Sequence, residues 1–253
     1  MYIDTHSHIY GEEYVSDLDS VIEESVDAGV EYIFMPNVDE DSIESMHRVE
    51  SLYPGYCFSM MGIHPTSIGP NFEEQLALIR SHIDSRRYSA IGEIGVDLYW
   101  SKEFVKEQLI SFERQLLWAK ELDLPVVIHM RDSFEETIEV VESIGGLKGV
   151  FHSFTGTSQQ AERIFRAGDF FLGINGVVTF KNSSLKAELV NIPLDRLVLE
   201  TDSPYLTPAP NRGKRNHPRN VVVVADALSD IYEVSAEHIA KVTSENAKKI
   251  FFR

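Results

Sequence analysis

Residues able to hold a metal ion recur at matching places along this sequence. His6-x-His8 follows the short apolar run Tyr2–Thr5, and Glu93 follows Ala90-Ile91 between two glycines, Gly92 and Gly95. His129 closes the run Pro125–His129, His152 follows Val150-Phe151, and Asp202 comes shortly after Leu197–Leu199. Residues two apart on an extended strand face the same way, so the imidazoles of His6 and His8 can reach one ion. A carboxylate beside Ala90-Ile91 is costly to bury without a cation or hydrogen-bond donors. Glu93 therefore reads either as a carboxylate spanning two ions or as the acid of a buried pair with Arg or Lys. A lone His at a strand end is more often a hydrogen-bonded core residue than a ligand; His129 and His152 together, beside an H-x-H and a Glu, reverse that balance. Asp202 can ligate an ion and accept a proton from water, or form an Asx turn before Pro204. Asp4 reads equally as an acid orienting an imidazole and as a turn residue. Glu200 reads as a support to the site or as half of a salt bridge.

The combined set, His6, His8, Glu93, His129, His152 and Asp202, offers only nitrogen and oxygen donors. That suits Zn, Mn, Fe, Ni or Mg and not a Cys-rich structural zinc site. Six ligands exceed what one tetrahedral ion takes. They match two divalent ions (Mg, Mn or Zn) sharing one bridging carboxylate, a clamp for in-line phosphoryl displacement. In that chemistry Glu93 and Asp202 are the catalytic carboxylates, Glu93 bridging the ions and Asp202 taking the proton of the attacking water.

These side chains need strands to present them. Eight short apolar runs qualify: Tyr2–Thr5, Tyr32–Pro36, Tyr56–Met61, Ala90–Ile94, Pro125–His129, Gly149–Phe151, Phe170–Ile174 and Leu197–Leu199. They do not alternate apolar with polar, as expected of parallel strands buried on both faces. Amphipathic segments lie between them. Leu18, Val21, Ile22 and Val26 share a helical face ended by Gly29, and Phe104, Val105, Leu109, Phe112 and Leu116 form a longer stripe. Ser133-x-x-Glu136 and Thr157-x-x-Gln160 have the form of capping boxes. Strands alternating with helices over 253 residues predict a single (β/α)8 barrel domain, residues 1–253. A doubly wound open sheet fits the count as well. In a barrel every candidate ligand sits at the C-terminal mouth of the strands, where barrel active sites form.

Composition narrows the class. Hydrophobic residues are 43% of the chain, and no apolar run approaches the ~18 residues of a membrane span. The start, MYIDTHSHIY, has no basic or apolar signal region, and the single Cys57 excludes an internal disulfide framework. A cytoplasmic protein with no membrane or disulfide-linked partner is expected. The formal charge of −17 argues against a broad basic face for nucleic acid. Locally the balance inverts: Arg212, Lys214, Arg215 and Arg219 fall within a Pro-rich stretch, Thr207–Pro218 and the residue after it, which reads as a functional loop. That loop is a candidate anion contact or a solvated loop with its own salt bridges. Arg131 is a second candidate, or the partner of Asp132. Tyr99 and Trp100 can stack on bases or bury against a helix.

Read together, the motifs resemble the TatD family of metal-dependent deoxyribonucleases, within the amidohydrolase-like barrels. The resemblance runs through Asp4-Thr5-His6-Ser7-His8, Gly62-Ile63-His64-Pro65, Gly92–Asp97, Gln108 to Leu116, Leu124–Asp132, Phe151–Gly156, Glu200–Leu206 and Arg212–Asn216, essentially the whole chain. It implies a (β/α)8 barrel and a divalent-metal nuclease trimming single-stranded DNA ends in the 3′ to 5′ sense. The family's metal set falls on the same six residues. His64 is then a candidate phosphate contact, with Arg212, Lys214 and Arg215 as further substrate-binding candidates. The chain departs from the family pattern at Tyr10, where an acid is common, at Ser153 and Thr155, where Cys and Ser are common, and at His217, where Glu or Gln is usual. Two other functions fit the same residues: an amidohydrolase acting on an amide, ester or lactone, and a non-catalytic metal-dependent nucleic-acid-binding protein.

Overall fold

A computed structural model describes residues 1–252. All eight expected strands form: β1 (Tyr2–Asp4), β2 (Val30–Pro36), β3 (Cys57–Met60), β4 (Ile91–Asp97), β5 (Val126–Arg131), β6 (Leu147–Phe151), β7 (Gly168–Ile174) and β8 (Leu197–Leu199). Between and after them lie helices α1 (Leu18–Asp27), α2 (Ile43–Leu52), α3 (Phe72–Ser85), α4 (Val105–Leu122), α5 (Phe134–Ile144), α6 (Ser158–Ala167), α7 (Leu185–Leu189), α8 (Val221–Tyr232) and α9 (Ala236–Phe251). No helix among the described residues is long and apolar enough to cross a membrane.

The strands are parallel and pair in chain order, as one arc of three (β1-β2-β3) and one of five (β4 to β8). Two narrow seams join the arcs. At one, Met61 bridges Ile91, with Met61 N–H donating to Ala90 at 3.1 Å and Gly92 N–H to Met61 at 3.0 Å. At the other, Ser7 bridges Ser203, with Thr5 N–H donating to Leu199 at 3.0 Å and His8 N–H to Ser203 at 2.7 Å. The fold is thus a (β/α)8 barrel and not an open sheet.

Two buried clusters divide the core. The larger packs the outer face of the strands against the helices. The smaller draws Ile3, Phe34, Met60, Ala90, Val127, Val150, Phe171 and Val198 from the eight strand regions, closed from below by Ala247 and Ile250 of α9. These residues are the floor of the barrel. Side chains two positions further along a strand face the same way. Val127 is therefore followed inside the barrel by His129, Val150 by His152, and Val198 by Glu200 and then Asp202. On β5, β6 and β8 the period of the strand delivers the polar residues above the apolar floor, whereas His6, three after Ile3, and Glu93, three after Ala90, fall outside that period, with β4 shifting register between Ile91 and Ile94.

Two local expectations fail for physical reasons. In α1 the buried positions are Val21, Ile22 and Ser25, whereas Val26 is 52% exposed. The inward stripe runs 18, 21, 22, 25, and Ser25 tolerates burial by donating its hydroxyl to Val21 O at 2.6 Å. Ser133 makes no capping bond to α5; its hydroxyl is spent on Val96 O at 2.6 Å, at the end of β4. Thr157 and Gln160 do form the reciprocal capping box on α6, at 3.2 and 2.9 Å.

Candidate metal centre

Helix α4 sets the mouth of the barrel in place. Its buried amides reach the loops above β3 and β4: Gln115 accepts from Ile63 N–H at 2.8 Å, and Gln108 accepts from Asp97 N–H at 2.9 Å. Gly95, at φ +150°, lets β4 approach β5 so closely that a Cβ there would lie 1.9 Å from His129 O. Of its two expected roles Asp4 takes the turn role, accepting from the backbone N–H two residues on, and it contacts no imidazole among the described residues. It is fully buried and accepts from Thr201 N–H (2.9 Å), Thr201 Oγ1 (2.6 Å) and His6 N–H (3.4 Å). It therefore ties the chain before His6 to the chain before Asp202, and burial lifts its carboxyl well above the usual range.

The six candidate ligands converge. Glu93 sits at the centre, with its oxygens facing different partners. Oε2 lies 3.1 Å from His6 Nε2 and 3.8 Å from His8 Nε2. Oε1 lies 2.9 Å from His129 Nδ1, 3.5 Å from His64 Nε2 and 3.8 Å from His152 Nε2. Asp202 Oδ1 lies 3.5 Å from His8 Nε2, 3.7 Å from His6 Nε2 and 3.9 Å from His152 Nε2. His6 and His152 stack with ring centroids 3.4 Å apart. Burial opposes a charge on Glu93, yet His6, His64, His152 and the bond to His129 hold its carboxyl well below the usual range. Asp202 is likewise kept ionised, against burial, by His152, His8 and His6. His152 responds in the other direction: burial would lower it, but Glu200, Glu93 and Asp202 push it up to about 10.

This donor set fits divalent ions. Three groups of converging ligand atoms occur among the described residues: His6, His8 and Glu93; His6, His152 and Asp202; and His64, Glu93 and His129. Glu93 belongs to two of them, so its two oxygens suit a bridge. All donors are nitrogen or oxygen, and His6, His8, Glu93 and His152 are buried while His64, His129 and Asp202 are half-buried, which favours a bound cation over bare repulsion among the imidazoles.

Two buried acids complete the site: Asp97, which spacing alone did not assign to it, and Glu200, for which support of the site is one of the two expected roles. Asp97 Oδ2 lies 2.9 Å from His129 Nε2, and burial is outweighed by that contact and by two backbone N–H groups, so its carboxyl is lowered. Glu200 Oε1 lies 3.0 Å from His152 Nδ1 and accepts from Ser153 N–H at 2.7 Å. Its space is made by Gly173, where a Cβ would fall 2.1 Å from Glu200 Oε2. Such outer carboxylates orient metal-binding imidazoles and raise their basicity. Asp97 stands in the Gly92–Asp97 motif, two positions past Gly95 on the inward face, which was the available signal.

The remaining candidates divide. His64 accepts from Thr66 N–H through Nδ1 at 3.2 Å, which leaves an N–H on Nε2 facing the centre. Above the ring opens a cavity of about 720 Å³, lined among others by His64, Trp100, Arg131, Asp202 and Tyr205. Arg212, Lys214 and Arg215 are not among its lining residues. Arg215 is bound to Asp17 at 2.9 and 2.5 Å, and Arg212 lies over the Phe180 ring at 4.0 Å. Arg131 does line the cavity; it stacks over Tyr99 at 3.8 Å and has no ion pair, with Asp132 or otherwise, among the described residues.

A parallel barrel with a histidine and carboxylate centre at the C-terminal mouth defines a metal-dependent hydrolase. The family model described as TatD related DNase matches residues 3–252. The chain is 38% identical to the metal-dependent hydrolase YabD of Bacillus subtilis, covering 99% of both proteins. It is 31% identical to a Danio rerio protein named as a candidate deoxyribonuclease, covering 99% of this chain and 97% of that one. The crystal structure of YJJV, a TatD homologue from Escherichia coli K12, superposes with a TM-score of 0.91 at 25% identity, over 100% of this chain and 98% of that one. The chain belongs to the TatD-related DNase family.

Proposed function

We propose that the protein is a deoxyribonuclease that removes nucleotides from single-stranded 3′ ends, using two divalent ions. The observation that carries this reading is the division of Glu93, with Oε2 toward His6 and His8 and Oε1 toward His129, His64 and His152. One carboxylate shared by two groups of donors is what a two-ion phosphodiester hydrolase requires. When bound, the ions supply Lewis-acid stabilisation of the phosphoryl oxygens and acidify water.

The chain's own residues do the rest. Asp202, ionised and at the cavity wall, takes the proton of the attacking water. The Nε2–H of His64 donates to a phosphate oxygen. Arg131 supplies the fixed positive charge of the cavity wall, and Trp100 and Tyr205, 68% and 58% exposed, offer faces for bases. A cavity of about 720 Å³ suits a strand end of roughly one or two nucleotides and excludes a duplex. The name of the Danio rerio relative supports the DNA substrate, and the 3′ to 5′ sense follows the family expectation. Arg212 and Lys214 stand outside the cavity and attract the rest of the strand.

The test is turnover of end-labelled single-stranded DNA by metal-stripped protein, with Mg, Mn and Zn added back separately and Glu93→Gln run beside each. The expected result is a ladder shortening from the 3′ end, reduced on the order of 10³-fold in the variant. No cleavage under any metal withdraws the nuclease reading and transfers the site to carbonyl substrates.

A further inference from the structure

The four ligand imidazoles are not supported alike. His129 and His152 each face a buried carboxylate, Asp97 at 2.9 Å and Glu200 at 3.0 Å. His8 Nδ1 instead faces the phenol of Tyr10, at 2.8 Å. His6 Nδ1 is buried with no hydrogen-bond partner among the described residues, and the His152 Nδ1 contact with Glu200 falls short of hydrogen-bond geometry, which leaves the Asp97–His129 pair as the clear carboxylate support.

The Tyr10 contact fixes a proton. Tyr10 is buried, and its hydroxyl lies 2.6 Å from Pro36 O as well as 2.8 Å from His8 Nδ1. A phenol has one proton and a carbonyl can only accept. The proton of Tyr10 therefore goes to Pro36, and the phenol oxygen must accept from His8 Nδ1–H. That assigns His8 the tautomer whose Nε2 lone pair is free, and Nε2 is the atom turned toward His6, Glu93 and Asp202. Tyr10 thus does the orienting work of an outer carboxylate without its charge.

A carboxylate partner raises the basicity of a ligating imidazole, and a neutral acceptor raises it less. We propose that the two metal positions are graded. The position on the Oε1 side of Glu93, served by His129, binds its ion tightly. The position served by His6 and His8 binds weakly and exchanges, with Tyr10 as the residue that positions His8. This rests on the two-ion reading and is independent of what the enzyme hydrolyses.

The test uses Mn²⁺ binding to metal-stripped full-length protein, by calorimetry with electron paramagnetic resonance counting free ion. The wild type is expected to bind two ions in steps at least ~10-fold apart. Tyr10→Phe should weaken the weaker step by ~10–100-fold and leave the stronger step unchanged, the scale of losing an outer partner. Asp97→Asn, which removes the charged partner of His129, should do the converse. Nitrogen-15 shifts of the wild-type, metal-free protein should give His8 a protonated Nδ1 and a bare Nε2, a readout that needs no variant to fold. Two equal steps, a Tyr10→Phe effect on both steps or on neither, or a His8 proton on Nε2 would overturn the grading. One ion bound in total would overturn the two-ion reading and the grading with it.

Discussion

Trp100 is anchored at the barrel mouth by Asp97: its backbone N–H donates to Asp97 Oδ1 at 3.1 Å, while Asp97 Oδ2 lies 2.9 Å from His129 Nε2. One carboxylate thus sets both a metal-facing imidazole and the segment that carries an exposed indole. Replacing the two residues should separate the effects. Trp100→Ala loses a stacking face and should raise KM for single-stranded DNA about fivefold to tenfold, with kcat little changed. Asp97→Asn should lower kcat and metal affinity together, by ~10–100-fold. Steady-state kinetics on oligonucleotides of fixed length checks both.

Metal loading should be visible in stability without any substrate. An ion that binds only the folded state contributes about 2.7 kcal/mol at a hundred times its Kd. For a chain of 253 residues that is a rise in Tm of roughly 5–10 °C over the chelated protein. Calorimetric scans in chelator and in added Mn²⁺ measure it. Activity should disappear and return in the same titration.

The cations near the mouth should behave differently. Arg131 lines the cavity and has no ion pair among the described residues, so Arg131→Gln should raise KM and reduce the salt slope on single strands by about 0.7. Arg215 is occupied by Asp17, so Arg215→Gln should leave the salt slope alone and cost no more than about 1 kcal/mol of stability. Salt titrations of KM separate the two.

His217 gives the protein an acid sensitivity outside the metal centre. Burial first, then Arg219 and Arg215, lower it from 6.5 to about 4, with Glu24, 3.3 Å away, and Asp17 opposing. Between those values the unfolded chain binds the proton and the folded chain does not. Stability therefore rises with pH across the window and falls as pH drops below about 6.5. The loss from this group is about 2 kcal/mol between pH 7 and pH 5. His217→Gln should flatten that part of the curve, measured by denaturant midpoint against pH.

Much of this architecture is local in origin and so legible in the sequence. All eight strands fall where short apolar runs stand, and the six converging residues are found because each follows such a run. What escaped depends on distant partners. Ring closure rests on Met61 with Ile91 and Ser7 with Ser203, pairings that no local pattern announces. Arg215 reads as a substrate contact or as part of a loop with its own salt bridges until Asp17, 198 positions away, is brought against it. Ser133 has the form of a cap until the end of β4 claims its hydroxyl. For Glu200 both readings stand in the sequence, and the choice of support for His152 depends on Gly173, on the neighbouring strand, leaving room for its carboxylate.

The unequal division of the barrel wall bears on how the enzyme holds its shape. His6 and His8 follow the first strand of the three-strand arc, whereas Glu93, His129 and His152 belong to the five-strand arc. Each seam between the arcs is a single bridge with a few backbone bonds. An ion gripped from both sides acts as a rivet across the joint, and the wall is then fastened by the same atoms that serve the chemistry. Emptying the centre would leave the two arcs held together chiefly by their packed helices, so amides at Ser7 and Met61 should be among the first to exchange with solvent when the rivet is withdrawn.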